Sequence, residues 1–310
     1  MITKNRQSEE TIRRMAVSAF GDKTVASVRE LTEGFCNVTY DISFTDGSAS
    51  ILKIAAKDRS GNTSNEIGLM KAETTAMRLV QAHDVCKAAE IQYYDTSRTV
   101  CDGDYFFMEK LPGENLMFAK ERMTEEEIDA IDRETGALSR RLTGITNPSF
   151  GFLGEERRFA SLYEFAELLL TNLLSDAEKR EIDIVHSKEE ILAAFHRDRE
   201  AFSHVGPATL VHWDMWEGNI FVKDGHIAGV IDWERAMWGE AFMDDRFRFH
   251  NRKSEFLKGF GITSFTEAEL ARLRWYDIIL YLTMMIEVFY RGFEDKGQYF
   301  WAREMFEKVW

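Results

Sequence analysis

An α+β fold in two unequal lobes is what this 310-residue sequence predicts, and three observations carry the prediction. From residue 25 to 109, short runs alternate apolar and polar positions between turn residues, which is strand behaviour, with a single helical run inserted. Beyond Pro112-Gly113 the apolar residues recur at a period of about 3.6 through long segments, which is helix behaviour. Between residues 210 and 232 a hairpin pattern interrupts those helices. The expectation is an antiparallel five-stranded sheet with one helix over residues 1–110, followed by a mainly helical lobe over 111–310.

Each element has its own warrant. Residues 9–20 carry helically spaced apolar positions and predict a leading helix. Strands follow at 25–32, 38–44 and 49–55, separated by the turn residues Glu33-Gly34-Phe35-Cys36-Asn37 and Thr45-Asp46-Gly47-Ser48. Ile67, Met70, Ala76, Met77 and Val80 line one face of a helix over 65–81. Residues 91–94 and 105–109 add two strands, and Lys110-Leu111-Pro112-Gly113 closes the sheet. Helices are then expected over 125–142, 162–175, 188–202, 267–290 and 297–309.

Composition narrows the function. A hydrophobic share of 45% is ample for a sizeable core, and a formal charge of −14 argues against nucleic acid, whose phosphates demand a basic face. Acidity of this kind favours cationic ligands and equally serves solubility. The cysteines Cys36, Cys86 and Cys101 have neither metal-ligand spacing nor an even-numbered framework, so a reducing cytoplasm is expected. The polar start MITKNRQSEETIRRM lacks the apolar run of a signal peptide, and the longest apolar stretch, 278–289, is too short to span a bilayer and contains Glu287. No membrane partner is expected; a monomer and a homodimer are both open.

The chemistry concentrates in LVHWDMWEGNIFVKDGHIAGVID, residues 210–232. Asp214 and Asn219 share a loop five residues apart, and a Lys-Asp-Gly turn brings Asp232 back beside them. One carboxylate to orient or deprotonate a hydroxyl, with an amide oxygen and a second carboxylate to hold magnesium, is the equipment of phosphoryl transfer from a nucleoside triphosphate. The spacing H-x-D-x-x-x-x-N is that of a kinase catalytic loop. His212 reads as a brace for the loop, and Glu234 equally as a helper beside Asp232 or as the start of the next solvated segment. Strand alternation sets Lys53 opposite Leu52 and Ile54, in place to reach the α- and β-phosphates.

HWDMWEGN followed by GVIDWERAMWGEAFMDD resembles the aminoglycoside phosphotransferase family, small-molecule kinases on the protein-kinase fold. The family usually reads HGDxxxxN, then IDW or IDF, then GDPxxD; here Trp213 replaces the Gly and Glu240-Ala241 the Asp-Pro. The resemblance implies Asp214 as base, Asn219 and Asp232 as Mg2+ ligands, Lys53 as phosphate clamp, and Glu73 as its orienter with Glu66 the alternative. It makes the turn around Gly34 the nucleotide-covering loop, gives Met108 the lining of the purine pocket, and gives the Glu109 carbonyl and Leu111 amide the base edge. ATP is the expected nucleotide, with GTP open. The implied acceptor is a small molecule, aminoglycoside-like if cationic, against a wall including Glu240, Asp244 and Glu287, where Asp244 also serves to brace the loop. Choline-, homoserine- or methylthioribose-type metabolite kinases and a non-catalytic nucleotide binder are the alternatives.

His196-Arg197-Asp198 spells a kinase tripeptide but has Ser203 where the Asn belongs, and reads as a solvated helix face. No G-x-x-x-x-G-K-[ST], H-E-x-x-H or G-x-S-x-G is present.

Overall fold

The computed structural model describes residues 4–32, 37–203 and 205–310. The chain divides into two compact units, Met1–Gly61 with Ala88–Leu111, and Asn62–Lys87 with Pro112–Trp310.

In the first unit α1 (Glu9–Phe20) starts on Ser8, whose side chain accepts the Thr11 N–H, and stops at Gly21, whose φ of 64° suits a residue without Cβ. Strands β1 (Val25–Leu31), β2 (Val38–Phe44), β3 (Ala49–Ile54), β4 (Ile91–Asp95) and β5 (Tyr105–Glu109) form an antiparallel sheet in the order β1-β2-β3-β5-β4. Alternation decides its faces. Tyr40, Ile42, Leu52, Ile54, Tyr105 and Phe107 bury against Ile12, Met15 and Ala16 of α1. Lys53, between Leu52 and Ile54, falls on the other face, paired in register with Phe106 and itself buried.

The inserted helix α2 (Leu69–Ala82) begins four residues later than periodicity suggests. Gly68 takes φ 60°, and a Cβ there would collide with the backbone of Gly154, so the lead-in cannot continue as helix. The lead-in also corrects the expected lobe boundary. Ser64 binds the Asp176 carboxylate, Asn65 donates to the Leu169 carbonyl, and Glu66 pairs with Arg235 and Arg291. Residues 62–87 therefore belong to the second unit rather than to the sheet.

The second unit continues with β6 (Glu114–Asn115), α3 (Leu116–Ala119), α4 (Glu125–Leu142), β7 (Thr146–Asn147), β8 (Gly151–Phe152), α5 (Leu162–Lys179), α6 (Lys188–Arg197), β9 (Ala208–Val211), β10 (Ile220–Lys223), β11 (His226–Val230), β12 (Met237–Gly239), α7 (Ser254–Phe260), α8 (Glu267–Tyr290) and α9 (Gly297–Val309). Capping boxes start α4 (Thr124 with Glu127), α5 (Ser161 with Glu164), α6 (Ser187 with Glu190) and α8 (Thr266 with Glu269). The helix expected over 188–202 breaks at Arg197. Asp198, half-buried there, accepts from Arg274 and from the Trp275 indole, which ties the helix end to α8. Helix α7, absent from the sequence reading, crosses α4 at Gly136 and Gly259, where a Cβ on either would strike the other helix's backbone. Among the described residues no helix is long and apolar enough to cross a membrane.

Candidate active site

Two strand pairings frame the site. Strand β9 pairs antiparallel with β12, and β10 with β11 through a two-residue turn at Asp224 and Gly225, both with positive φ as a tight hairpin requires. The loop 212–219 and the turn 231–236 each run from one pairing to the other, so they lie side by side although the hairpin separates them in sequence.

Side chains then lock loop to turn. His212 donates from Nε2 to the Ile231 carbonyl (2.9 Å) and accepts the Asp214 N–H at Nδ1 (3.2 Å), which fixes its tautomer and makes it a strut. The ring packs on Trp233, 4.4 Å between centroids. Ile231 donates its N–H to the Asn219 carbonyl (3.0 Å). Asn219 Nδ2 donates to the Asp214 carbonyl (2.8 Å) and reaches Asp214 Oδ2 at 3.4 Å. With its nitrogen so committed, the oxygen of the Asn219 amide is the atom left to act as a ligand. Asp232 follows Ile231 in the left-handed conformation, φ 62° and ψ 55°.

Trp213 is also left-handed, at φ 75°. Its N–H donates to Asp244 Oδ2 (3.0 Å), its carbonyl accepts from the Asp245 N–H (3.1 Å), and its ring lies under the Arg235 guanidinium. Asp244 thus braces the loop, and also accepts the Arg246 N–H.

Charge is crowded here. Burial pushes the Asp214 carboxyl well above the ordinary carboxylate range; Arg235 opposes this, while Asp245, Asp232 and Glu287 add to it. Burial and the neighbouring Asp245 push Asp244 up to about 7, against the N–H groups of Arg246 and Trp213. Glu73, Asp232 and Glu234 can each bring a carboxylate oxygen within 4.8 Å of the others. Carboxylate oxygens so grouped form a donor set for a hard divalent cation, so the residues fit magnesium.

Of the residues singled out from sequence, Asp214, Asn219 and Asp232 come together, and Glu73 and Glu234 join Asp232. Glu66 does not. Although burial acts the other way, Arg235 and Arg291 hold its carboxyl below the usual range, and Thr63 donates to it as well. Lys53 sits on β3 of the first unit; there too Met108 is the penultimate residue of β5, Glu109 its last, and Leu111 is buried just beyond. Gly34 lies outside the described residues. The three carboxylates expected at an acceptor wall all have internal partners: Glu240 accepts from Arg272 and the Tyr276 hydroxyl, Glu287 pairs with Arg235 and Arg291, and Asp244 holds Trp213. Sequence reasoning missed Arg235, which stands one residue after Glu234 and carries no motif of its own.

The model of the phosphotransferase enzyme family (APH) matches residues 27–244. No curated protein sequence matches the chain. Among solved structures, "Putative fructosamine-3-kinase" from Haemophilus somnus 129PT is similar at 14% identity and a TM-score of 0.69, covering 97% of each chain. A thermostable mutant (D198A) of aminoglycoside phosphotransferase APH(4)-Ia, in ternary complex with ADP and hygromycin B, is similar at 14% identity and 0.69, covering 96% of this chain and 97% of that one. A second protein of the first name, from Thermobifida fusca YX-ER1, reaches 0.70 at 12% identity, covering 97% and 99%. At such identities the likeness is one of fold, the protein-kinase-like fold.

Proposed function

The chain belongs to the phosphotransferase enzyme family and is a small-molecule kinase, and from that premise we propose that it moves the γ-phosphoryl group of ATP to a hydroxyl of a small molecule. The observation that carries this reading is the contact of Asp214 with Asn219 beside the left-handed turn at Asp232.

In this reading Asp214 accepts the hydroxyl proton as the oxygen attacks phosphorus in line with the departing ADP oxygen. Its placement is the work of Asn219, which grips the Asp214 carbonyl, and of His212, which takes its N–H. Asn219 and Asp232 would hold Mg2+, with Glu73 and Glu234 supplying further negative charge next to Asp232. When bound, the ion would neutralise charge on the phosphates. Lys53 neutralises the α- and β-phosphates from the first unit, and the segment Met108 to Leu111 receives the purine; GTP would use the same backbone groups.

For the acceptor, the internal pairing of Glu240, Asp244 and Glu287 favours a hydroxylated metabolite over a polycation. Of the structures similar in fold, one is named a fructosamine-3-kinase and another, an aminoglycoside phosphotransferase, was solved with hygromycin B, so both classes enter the trial. A panel of aminoglycosides, macrolides, amino sugars, choline, homoserine and methylthioribose, read by ADP release with magnesium present, tests the reading. Acceptor-dependent ADP release is expected from a neutral or singly charged member. Release driven by an aminoglycoside alone would overturn the preference, and release from none with nucleotide unbound would overturn the kinase chemistry.

A further inference from the structure

Trp213 holds a backbone conformation that disfavours a bulky side chain, one residue before the base. Two anchors keep it there. One is the backbone clamp by Asp244 and Asp245 already described. The other is Arg235, whose guanidinium carbon lies 5.1 Å from the centre of the Trp213 ring. Arg235 is itself fixed from two sides. It donates to Glu66 on the lead-in to α2 (3.1 Å) and to Glu287 on α8. Arg291 closes the cluster on Glu66 (2.6 Å) and Glu287 (3.6 Å), and all four charged side chains are largely buried. Arg235 also stands three residues after Asp232. One guanidinium thus ties together the catalytic loop, the turn carrying Asp232, the approach to the helix bearing Glu73, and α8.

We propose that Arg235 is a positioning residue for the phosphoryl-transfer reaction: held by Glu66 and Glu287, its flat face pins the Trp213 ring and so fixes the left-handed backbone from which Asp214 projects. The inference rests on the kinase reading for its effect on turnover but not for the lock itself. Lysine could keep the ion pairs to Glu66 and Glu287 but offers no flat face to the ring, whereas a glycine in place of Trp213 adopts positive φ without help.

The test is a cycle of Arg235→Lys and Trp213→Gly, singly and together, in the full chain. In the wild-type background Arg235→Lys is expected to lower kcat about tenfold with KM for nucleotide changed less than about twofold, because misplacing a base by a fraction of an ångström slows the step without touching nucleotide contacts. In the Trp213→Gly background, whatever that change costs by itself, the same substitution should cost less than about threefold, the non-additivity expected of residues in contact. Equal losses in both backgrounds would overturn the lock. Thermal melts of the four proteins give a second reading that needs no turnover: the lock requires Arg235→Lys to lower Tm less in the Trp213→Gly background than beside the native tryptophan, and additive Tm changes would overturn it. A wild-type protein without turnover on any acceptor would sink the kinase reading while leaving the melting cycle to decide the lock.

Discussion

The sheet unit and the segment from 208 to 252 direct their candidate side chains differently. In the sheet, alternation sets the face on which Lys53 lies: Leu52 and Ile54 enter the core with α1, so residue 53 must face the other way. In the later segment, aim comes from hydrogen bonds and buried ion pairs. His212 struts Asp214, Asp244 clamps Trp213, Arg246 pairs with Asp132 with both side chains almost fully buried, and Arg248 reaches Asp277. The contrast has a consequence for tolerance. Apolar alternation survives any substitution of similar shape and hydrophobicity, whereas a buried charge partner cannot be exchanged even for an isostere.

The sharpest way to break that comparison is at the base. Asp214→Ala should abolish acceptor-dependent ADP release, a loss of about a thousandfold or more, while nucleotide still binds, since in the proposed reaction the side chain would serve the acceptor and not ATP. Turnover within tenfold of wild type would remove Asp214 from the mechanism.

Shape-preserving substitutions sharpen it next. Asp132→Asn leaves Arg246 buried without its counter-charge and should cost about 3–5 kcal/mol in urea unfolding. Leu52→Met in the sheet core should cost less than about 1.5 kcal/mol. Equal costs would mean that the two regions are not held differently.

A further test is one of pH. The Asp244 carboxyl is raised from 3.8 to about 7 in the fold, so the folded chain binds a proton there that the unfolded chain has released. Its contribution to stability is therefore full below pH 3.8 and declines as pH rises toward 7. In Asp244→Asn that part of the pH dependence of Tm should vanish, leaving a flatter profile between those limits. An unchanged slope would show that another group is responsible.

Much of this was legible in the sequence where the signal is local. Helices α1, α4, α8 and α9 and strands β2 and β5 run over the residues their periodicity marks, and each of α4, α5, α6 and α8 opens with a Ser or Thr three residues before a Glu. The closeness of Asp214, Asn219 and the turn at Asp232 was readable for the same reason, since they lie within one loop and the hairpin that follows. What escaped was non-local or too short for a period. Strands β7, β8 and β12 are two or three residues long and exist because of what they pair with. Helix α7 has seven residues, and its crossing with α4 rests on glycines. The engagement of Glu66 rests on Arg291, 225 residues on, and that of Glu240 on Arg272, 32 residues on. No spacing rule in the chain announces such partners.

The most direct question is whether Asp232 holds the ion that nucleotide needs. Calorimetric titration of ATP into wild type and Asp232→Ala, each with and without magnesium, decides it. Magnesium should strengthen ATP binding to wild type and leave the variant's weaker binding unaltered; the same magnesium-dependent gain in both proteins would contradict the assignment.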